Sequence, residues 1–130
     1  MNVLLSIKPE YVSKIFAGSK QFEYRKAIFK NPNVKKVIVY STMPEGRIVG
    51  EFDVGEILHD SPSSLWSRTW RKGGVAKDFF EQYFAGRNFG YAISVESARR
   101  YDVPVDPTEV FENFVPPQSF LYLCEDRAER

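Results

Sequence analysis

Short apolar segments with strand periodicity recur along the whole chain, and short helical segments separate them. Residues 36–40, which are apolar from Val37 onward, are typical of a strand covered on both sides, whereas residues 47–58 alternate between apolar and polar side chains. Further strands are predicted at residues 2–7, 21–25, 89–95 and 119–123. Four to six strands with interleaved helices predict an α+β fold. Closure into a small mixed β-barrel with flanking helices would remove the exposed edges of this aromatic-rich sheet.

Capping residues predict three helices between these strands. A proline at the first turn and a run of apolar residues at helical spacing predict a helix over residues 9–17, and Gly18 suits its left-handed end. Ser61 suits the N-cap of a second helix, and residues 77–84 have the pattern of a third.

The length and composition predict one domain over residues 1–130. The chain contains 11 Phe, 7 Tyr and 2 Trp, too many aromatic residues for a disordered protein. Its single cysteine, Cys124, excludes an internal disulfide and fits a reducing compartment. No apolar run is long enough to cross a bilayer, and no basic stretch precedes the first apolar run. We therefore expect a cytoplasmic protein without a membrane partner.

The charges are distributed unevenly, although the formal net charge is only +1. Residues 1–36 contain eight Lys or Arg against two Glu, which leaves a net charge of −5 on the remainder. The basic part attracts phosphates if its cations cluster in the fold. An ordinary solvated face is the alternative.

Several common catalytic motifs are absent from the sequence. It has neither a Gly-x-x-x-x-Gly-Lys-Ser/Thr phosphate loop nor a Gly-x-Gly-x-x-Gly dinucleotide motif. His59 is the only histidine, so a histidine metal cluster or a Ser-His-Asp triad is not expected. The pair His59-Asp60 resembles a metal-phosphohydrolase dyad, but such a site needs more histidines, and a turn explains the pair better. We expect no metal and no cofactor.

One constellation of charged residues follows the first helix, with the spacing Gly-x-Lys-x-x-Glu-x-Arg from Gly18. Glu23 and Arg25 are two apart on a strand and share a face, and Lys20 at the helix-to-strand corner can swing over that face. Arg offers a planar fork for a phosphate or a base edge, Lys a mobile charge, and Glu an acceptor. A simple surface ion pair between Glu23 and Arg25 is the structural alternative.

This spacing, placed directly after an N-terminal strand and helix, resembles the ASCH domain family of the PUA-like superfamily. The resemblance extends over most of the chain, including residues 48–52 and 90–93. It implies a PUA-like domain whose cleft, beside the first helix, is lined by Lys20, Glu23 and Arg25. It also implies binding of RNA or a nucleotide-like ligand, in RNA metabolism or translation-linked regulation.

Whether the chain is an enzyme stays open at this point. Some family members look like hydrolases acting on RNA or modified nucleosides, and in such an enzyme Lys20 or Glu23 would be the catalytic proton-transfer group. Burial beside Arg25 would lower the pKa of Lys20 and make it a usable base. The amidohydrolase-like members carry a threonine where Glu23 stands, so this chain departs from them. A protein-interaction domain is a third possibility, because the C-terminal segment is rich in aromatic residues and proline.

Two pairs of residues are candidates to extend the site. Ser6 and Lys8 precede the first helix, whose N-terminal amides can hold an anion, or they serve as ordinary caps. Ser41 and Thr42 end a buried strand and form either a second phosphate contact or a plain turn.

The second predicted helix, which we expect to end at Gly73-Gly74, carries Trp66 and Trp70 on one face with several cations nearby. Such aromatic residues stack on bases or pack in a core.

The strand at 89–95 has only small residues on one face, which a helix or a ligand must approach closely. Tyr91, Gln118 and Ser119 are the remaining candidates for the cleft wall.

Overall fold

The computed structural model describes residues 1–123. Within them, strands and helices follow one another in the order β1 (Asn2–Ile7), α1 (Pro9–Ala17), β2 (Phe22–Arg25), β3 (Lys36–Ser41), β4 (Arg47–Asp60), α2 (Pro62–Thr69), α3 (Lys77–Tyr83), β5 (Gly90–Val105) and β6 (Leu121–Leu123). One turn of 3₁₀ helix, Trp70–Lys72, continues α2, and another, Pro107–Glu109, follows β5. The predicted α+β class is confirmed. Cys124 lies outside the described residues.

The strands form one six-stranded sheet in the order β2-β5-β4-β3-β1-β6. β1 and β3 are parallel, and the other neighbouring pairs are antiparallel. The prediction of a mixed sheet with flanking helices is therefore confirmed. None of the helices in residues 1–123 has the length and apolar character that crossing a bilayer requires.

The predicted closure into a barrel is wrong, because the sheet is open. β2 and β6 are its two edges, and no main-chain ladder joins them within the described part of the chain. We call the gap between these two edges the seam, and the side chain of Arg25 bridges it. Its Nη2 donates to the carbonyl oxygen of Ser6 at 2.8 Å, and its Nη1 donates to that of Ser119 at 3.4 Å. These bonds satisfy carbonyl groups that a closing strand would otherwise satisfy.

Local capping explains why the first two helices begin and end where they do. α1 ends at Gly18, whose φ of 88° is left-handed and whose N–H donates to the carbonyls of Lys14 and Ile15. α2 begins after Ser61, whose Oγ accepts from the N–H of Ser64 at 3.3 Å. α1 packs on one core cluster of the sheet through Val12 and Ile15. α2 and α3 pack on a second cluster, which contains Tyr24, Leu65, Phe80, Phe84 and Ala92.

β5 is longer than the sequence predicted, since it continues past residue 95 and includes Pro104. β4 pairs with it as far as Val105, and Arg99 binds Glu51 and Asp53 across the two strands. β2 pairs only with residues 91–94 of β5, so beyond them β5 has a neighbouring strand on one side only. Pro104, which has no N–H to donate, is tolerated because its open side needs no hydrogen bond.

A side chain at the end of α3 approaches the small-residue face of β5 closely at Gly90. A Cβ atom at Gly90 would lie 2.3 Å from Cε1 of Phe84. Phe84, at the end of α3, is 2% exposed and therefore needs glycine opposite its ring.

Candidate functional site

A cavity of about 150 Å³ lies beside the open seam of the sheet. We call it the lysine pocket. Its polar lining comes from β1, the residue before α1, the corner between α1 and β2, and β2 itself. These residues are Ser6, Lys8, Lys20, Glu23 and Arg25. Its aromatic lining comes from α1, β2 and α3, and comprises Tyr11, Tyr24, Phe79, Phe80 and Tyr83. Aromatic walls around a few convergent polar groups are typical of small-molecule sites.

The side chain of Lys20 is enclosed, with a relative exposure of 2%. Its Nζ donates to the carbonyl oxygen of Gly73 at 2.8 Å and lies 3.7 Å from Oε1 of Glu23. The same atom lies 4.9 Å from the ring centre of Tyr24 and 5.6 Å from that of Tyr11. The cation is therefore held by a carbonyl, a carboxylate and two ring faces.

Burial lowers the pKa of Lys20, and the positive charge of Arg25 lowers it further, whereas Glu23 opposes both effects. Lys20 therefore loses its proton at a lower pH than an exposed lysine does. This is the condition under which a lysine serves as a general base.

Glu23 and Arg25 form a buried pair rather than a surface pair. Glu23 is 7% exposed, and its Oε2 accepts from Nε of Arg25 at 2.9 Å and lies 2.8 Å from Nη2. Because the guanidinium also binds the carbonyls of Ser6 and Ser119, its fork is occupied by the protein. Arg25 thus fixes Glu23 with Oε1 next to Lys20.

The aromatic walls are packed against one another. The ring centres of Tyr11 and Phe79 are 5.4 Å apart, and those of Tyr24 and Phe80 are 4.9 Å apart. Phe79 and Tyr83 stack with an interplanar angle of 13°. Burial raises the pKa of Tyr11, Tyr24 and Tyr83, so all three keep their phenolic protons at neutral pH.

Three further lysines lie over aromatic rings of the pocket lining, and we call them the rim lysines. Nζ of Lys8 lies 5.7 Å from the ring centre of Phe79, and Nζ of Lys26 lies 4.7 Å from that of Tyr83. Lys14 lies 5.7 Å from the Tyr11 ring and donates to the carbonyl of Gly74. All three side chains are exposed. Part of the basic charge of residues 1–36 therefore lies against the aromatic lining of the lysine pocket.

Gly73 and Gly74 pack against two side chains of the pocket lining, Lys20 and Tyr24. The sequence predicted only that the two glycines end a helix. A Cβ atom at Gly73 would lie 2.1 Å from Oη of Tyr24. A Cβ atom at Gly74, where φ is +69°, would lie 2.6 Å from Cβ of Lys20. Glycine lets this backbone approach both side chains closely.

The lysine pocket brings together Ser6, Lys8, Lys20, Glu23 and Arg25 of the residues singled out in the sequence. Lys8 precedes α1 as its N-cap residue and makes no side-chain capping bond. The hydroxyl of Ser6 is buried and has no hydrogen-bond partner within residues 1–123.

Ser41 and Thr42 are not part of the pocket lining. Ser41 is fully buried, and its hydroxyl has no hydrogen-bond partner in the described chain. The N–H of Thr42 donates to the carbonyl of Ile7 at 3.0 Å in the turn after β3. Ser41 pairs with Ile7 in the register between β1 and β3.

The other candidates are also outside the pocket lining. Trp66 lines a different cavity. Tyr91 stacks on His59, with ring centres 4.5 Å apart and an interplanar angle of 10°. Gln118 is exposed in the loop before β6, and Ser119 reaches the site only through its carbonyl, which accepts from Arg25.

Comparison with known proteins places the fold in a family. The family profile described as "ASCH domain" matches residues 5–102. The crystal structure of ASCH from Zymomonas mobilis superposes with a TM-score of 0.91 at 24% identity, covering 98% of this chain and 91% of that one.

Two sequence relatives differ in how much of their length they share with this chain. An "ASCH domain-containing ribonuclease" of Zymomonas mobilis is 25% identical over 133 aligned positions, which cover 98% of this chain and 87% of the relative. A "Large ribosomal subunit protein uL22" of Ureaplasma parvum is 26% identical over 124 positions, which cover 93% of this chain but 39% of the relative.

Proposed function

The chain belongs to the ASCH domain family, and on that premise we propose that it binds RNA by receiving one nucleobase in the lysine pocket. The observation that carries the proposal is the Lys20 ammonium, 2% exposed and 3.7 Å from a buried carboxylate, at the floor of an aromatic cavity. RNA as the ligand also agrees with the ribonuclease name of the Zymomonas relative. The proposal includes action in the cytoplasm, where cellular RNA is available.

The pocket chemistry suits a base better than a phosphate. The ammonium of Lys20 has three N–H donors, and Gly73 accepts one of them at 2.8 Å. A base carbonyl or ring nitrogen can accept another, while the carboxylate of Glu23 can accept from an exocyclic amino group. Rings of Tyr11 and Phe79 offer faces for stacking. A dianionic phosphate would instead meet the buried carboxylate.

The rim lysines suit the phosphates on either side of the inserted base. Lys8, Lys14 and Lys26 are exposed cations that lie over aromatic rings of the pocket lining. Such contacts add affinity that falls with salt concentration and does not depend on the base sequence.

A second candidate function is RNA cleavage without a metal, favoured by the lowered pKa of Lys20 and by the ribonuclease relative. Neutral Lys20 would accept the proton of a ribose 2′-hydroxyl as its oxygen bonds to the adjacent phosphorus. The bond from phosphorus to the 5′-oxygen breaks, and that oxygen takes a proton from water. The hydroxide left behind takes the proton from Lys20, which returns to its neutral form. The products are a 2′,3′-cyclic phosphate and a 5′-hydroxyl.

Binding of labelled single-stranded RNAs to wild type and Lys20→Met tests the proposal. Methionine keeps most of the side-chain volume and removes the charge, and an affinity loss of about 10- to 100-fold is expected when a charged hydrogen bond is lost. Lys35→Met, at an exposed lysine outside the pocket lining, is the matched control and should change affinity less than about threefold.

Gel analysis of the same samples separates the two candidate functions. Intact RNA with lost binding in Lys20→Met supports a recognition module. Cyclic-phosphate products that disappear in Lys20→Met and with a 2′-deoxy substrate support the ribonuclease. Equal RNA affinity of wild type and Lys20→Met, with both folded by circular dichroism, would refute recognition through the lysine pocket. Equal cleavage by the two proteins would refute the ribonuclease.

A further inference from the structure

A second cavity of about 510 Å³ lies between α2 and α3, and we call it the tryptophan groove. Its lining includes Ser63, Trp66, Lys77, Phe80, Glu81 and Arg87. We infer that this groove binds the nucleotide next to the one held in the lysine pocket, so that a single RNA strand crosses α3. The inference rests on the proposed function.

Helix α3 separates the two cavities and presents a different face to each. Phe80 lines both cavities and is 2% exposed. Phe79 and Tyr83, four residues apart, line the lysine pocket, whereas Lys77 and Glu81, also four apart, line the groove. The two cavities therefore lie on different faces of one helix and share Phe80 as a wall.

The groove offers an aromatic platform for a base. Trp66 is half-buried, and its ring centre lies 5.1 Å from that of Phe80. Trp66 and Trp70 stack with ring centres 6.4 Å apart and an interplanar angle of 24°, and Trp70 is 49% exposed. A half-buried ring with a second ring stacked beside it loses little entropy when a base stacks on it.

The charges around the groove favour a polyanion over an apolar peptide. Residues 62–89 hold five Lys or Arg against two acidic residues, although the whole chain has a net charge of only +1. Lys77 and Arg87 are exposed cations in the groove lining. The ion pair of Lys77 with Glu81 is 4.0 Å long and joins two side chains that are each 63% exposed, so a phosphate can displace Glu81 at low cost.

A length series of RNA tests this arrangement. Adenylates and uridylates of one, two and three nucleotides, each with a 5′-phosphate, compete with a labelled single-stranded RNA for wild type and for Lys77→Ala/Arg87→Ala. We expect the dinucleotide to bind wild type at least tenfold more tightly than the mononucleotide. In the double variant this gain should fall below threefold, with mononucleotide affinity unchanged. Lys30→Ala/Lys35→Ala, at exposed lysines outside both cavity linings, should keep the full gain.

Tryptophan fluorescence adds a direct readout, since Trp66 and Trp70 are the chain's two tryptophans. The dinucleotide should change the emission, and the mononucleotide in the lysine pocket should not. An emission that the dinucleotide leaves unchanged would overturn the inference. The same outcome would follow if the dinucleotide exceeded the mononucleotide in affinity by an equal factor in wild type and in Lys77→Ala/Arg87→Ala. Mononucleotide binding that is insensitive to Lys20→Met would overturn the proposed function instead.

Discussion

The ammonium of Lys20 and the carbonyl oxygen of Gly73 are 2.8 Å apart, although the two residues are separated by 53 positions in the sequence. This bond connects the corner between α1 and β2 to the end of the α2 segment. The N–H of Gln21 donates to the carbonyl of Lys72 at 2.7 Å and strengthens the same connection. The position of the buried cation therefore depends on the backbone that follows α2.

Gly73→Ala should destabilise the protein and weaken RNA binding, because its Cβ would lie 2.1 Å from Oη of Tyr24. Overpacking of this kind costs about 1–3 kcal/mol. The φ of −82° at Gly73 is accessible to alanine, so the expected cost is steric. Urea denaturation measures the free energy of unfolding.

Tyr24→Phe provides the control for this prediction. Thr69 donates its hydroxyl proton to the carbonyl of Leu65, so the Tyr24 hydroxyl must donate to Thr69, and losing that bond costs about 1 kcal/mol. Removing the hydroxyl also removes the closest contact of the new Cβ and leaves Cζ of Tyr24 at 3.0 Å, so the double variant should lose less stability than the two single losses added together. Additive losses would contradict the steric explanation.

Lys20→Met should change how stability depends on alkaline pH. Burial lowers the pKa of Lys20 from 10.5, so between the lowered pKa and 10.5 the unfolded chain binds more protons than the folded one. The free energy of unfolding of wild type relative to Lys20→Met therefore rises with pH in this window. Urea midpoints from pH 7 to pH 10 measure it, with Lys35→Met alongside. A constant or falling difference would contradict a buried, cationic Lys20.

Arg25→Lys should lower the free energy of unfolding by about 1.5–3 kcal/mol, the contribution of a hydrogen bond from a charged group. A single ammonium cannot reproduce the fork that joins Glu23 to the carbonyls of Ser6 and Ser119. Arg87→Lys, at an exposed arginine, should change stability by under about 0.5 kcal/mol. Equal effects of both substitutions in urea denaturation would show that Arg25 does not bridge the seam.

Glu51→Gln should remove stability at neutral pH and little at strongly acidic pH. Burial raises the pKa of Glu51, but hydrogen bonds from Arg99, Lys36 and Tyr101 outweigh it and hold the pKa at about 2. The stabilisation is present above the unfolded pKa and is lost as pH falls through about 2. The difference in unfolding free energy between the two proteins, measured from pH 7 to pH 2, should shrink toward zero. RNA affinity at pH 7 should be unchanged, because Glu51 does not line the lysine pocket.

Local signals in the sequence predicted much of the framework. α1 begins at Pro9 and is capped by Gly18 as expected, and the alternation of residues along β2 correctly placed Glu23 and Arg25 on one face. The strand at 89–95 was predicted too short because its polar continuation is held by Arg99 and its acidic partners on β4, which a hydrophobic pattern does not show.

The pocket itself was only partly predictable. Its cation and carboxylate lie in one local motif, but its aromatic walls come from α1 and α3, which are far apart in sequence. For Arg25 the sequence left two alternatives, a fork offered to a ligand and an ion pair with Glu23. The structure contains the ion pair and adds the carbonyls of Ser6 and Ser119 as acceptors. The two carbonyl contacts depend on tertiary structure, and no spacing within the sequence encodes them.

Photo-crosslinking tests the central claim most directly. A short single-stranded RNA containing one 4-thiouridine is irradiated with the protein, and mass spectrometry locates the adducts in wild type and Lys20→Met. We predict adducts on the pocket walls, at Tyr11, Phe79 or Tyr83, that disappear in Lys20→Met. Adducts confined to residues outside the pocket, such as Tyr101 or Phe111, and equally abundant in both proteins would contradict RNA binding in the lysine pocket.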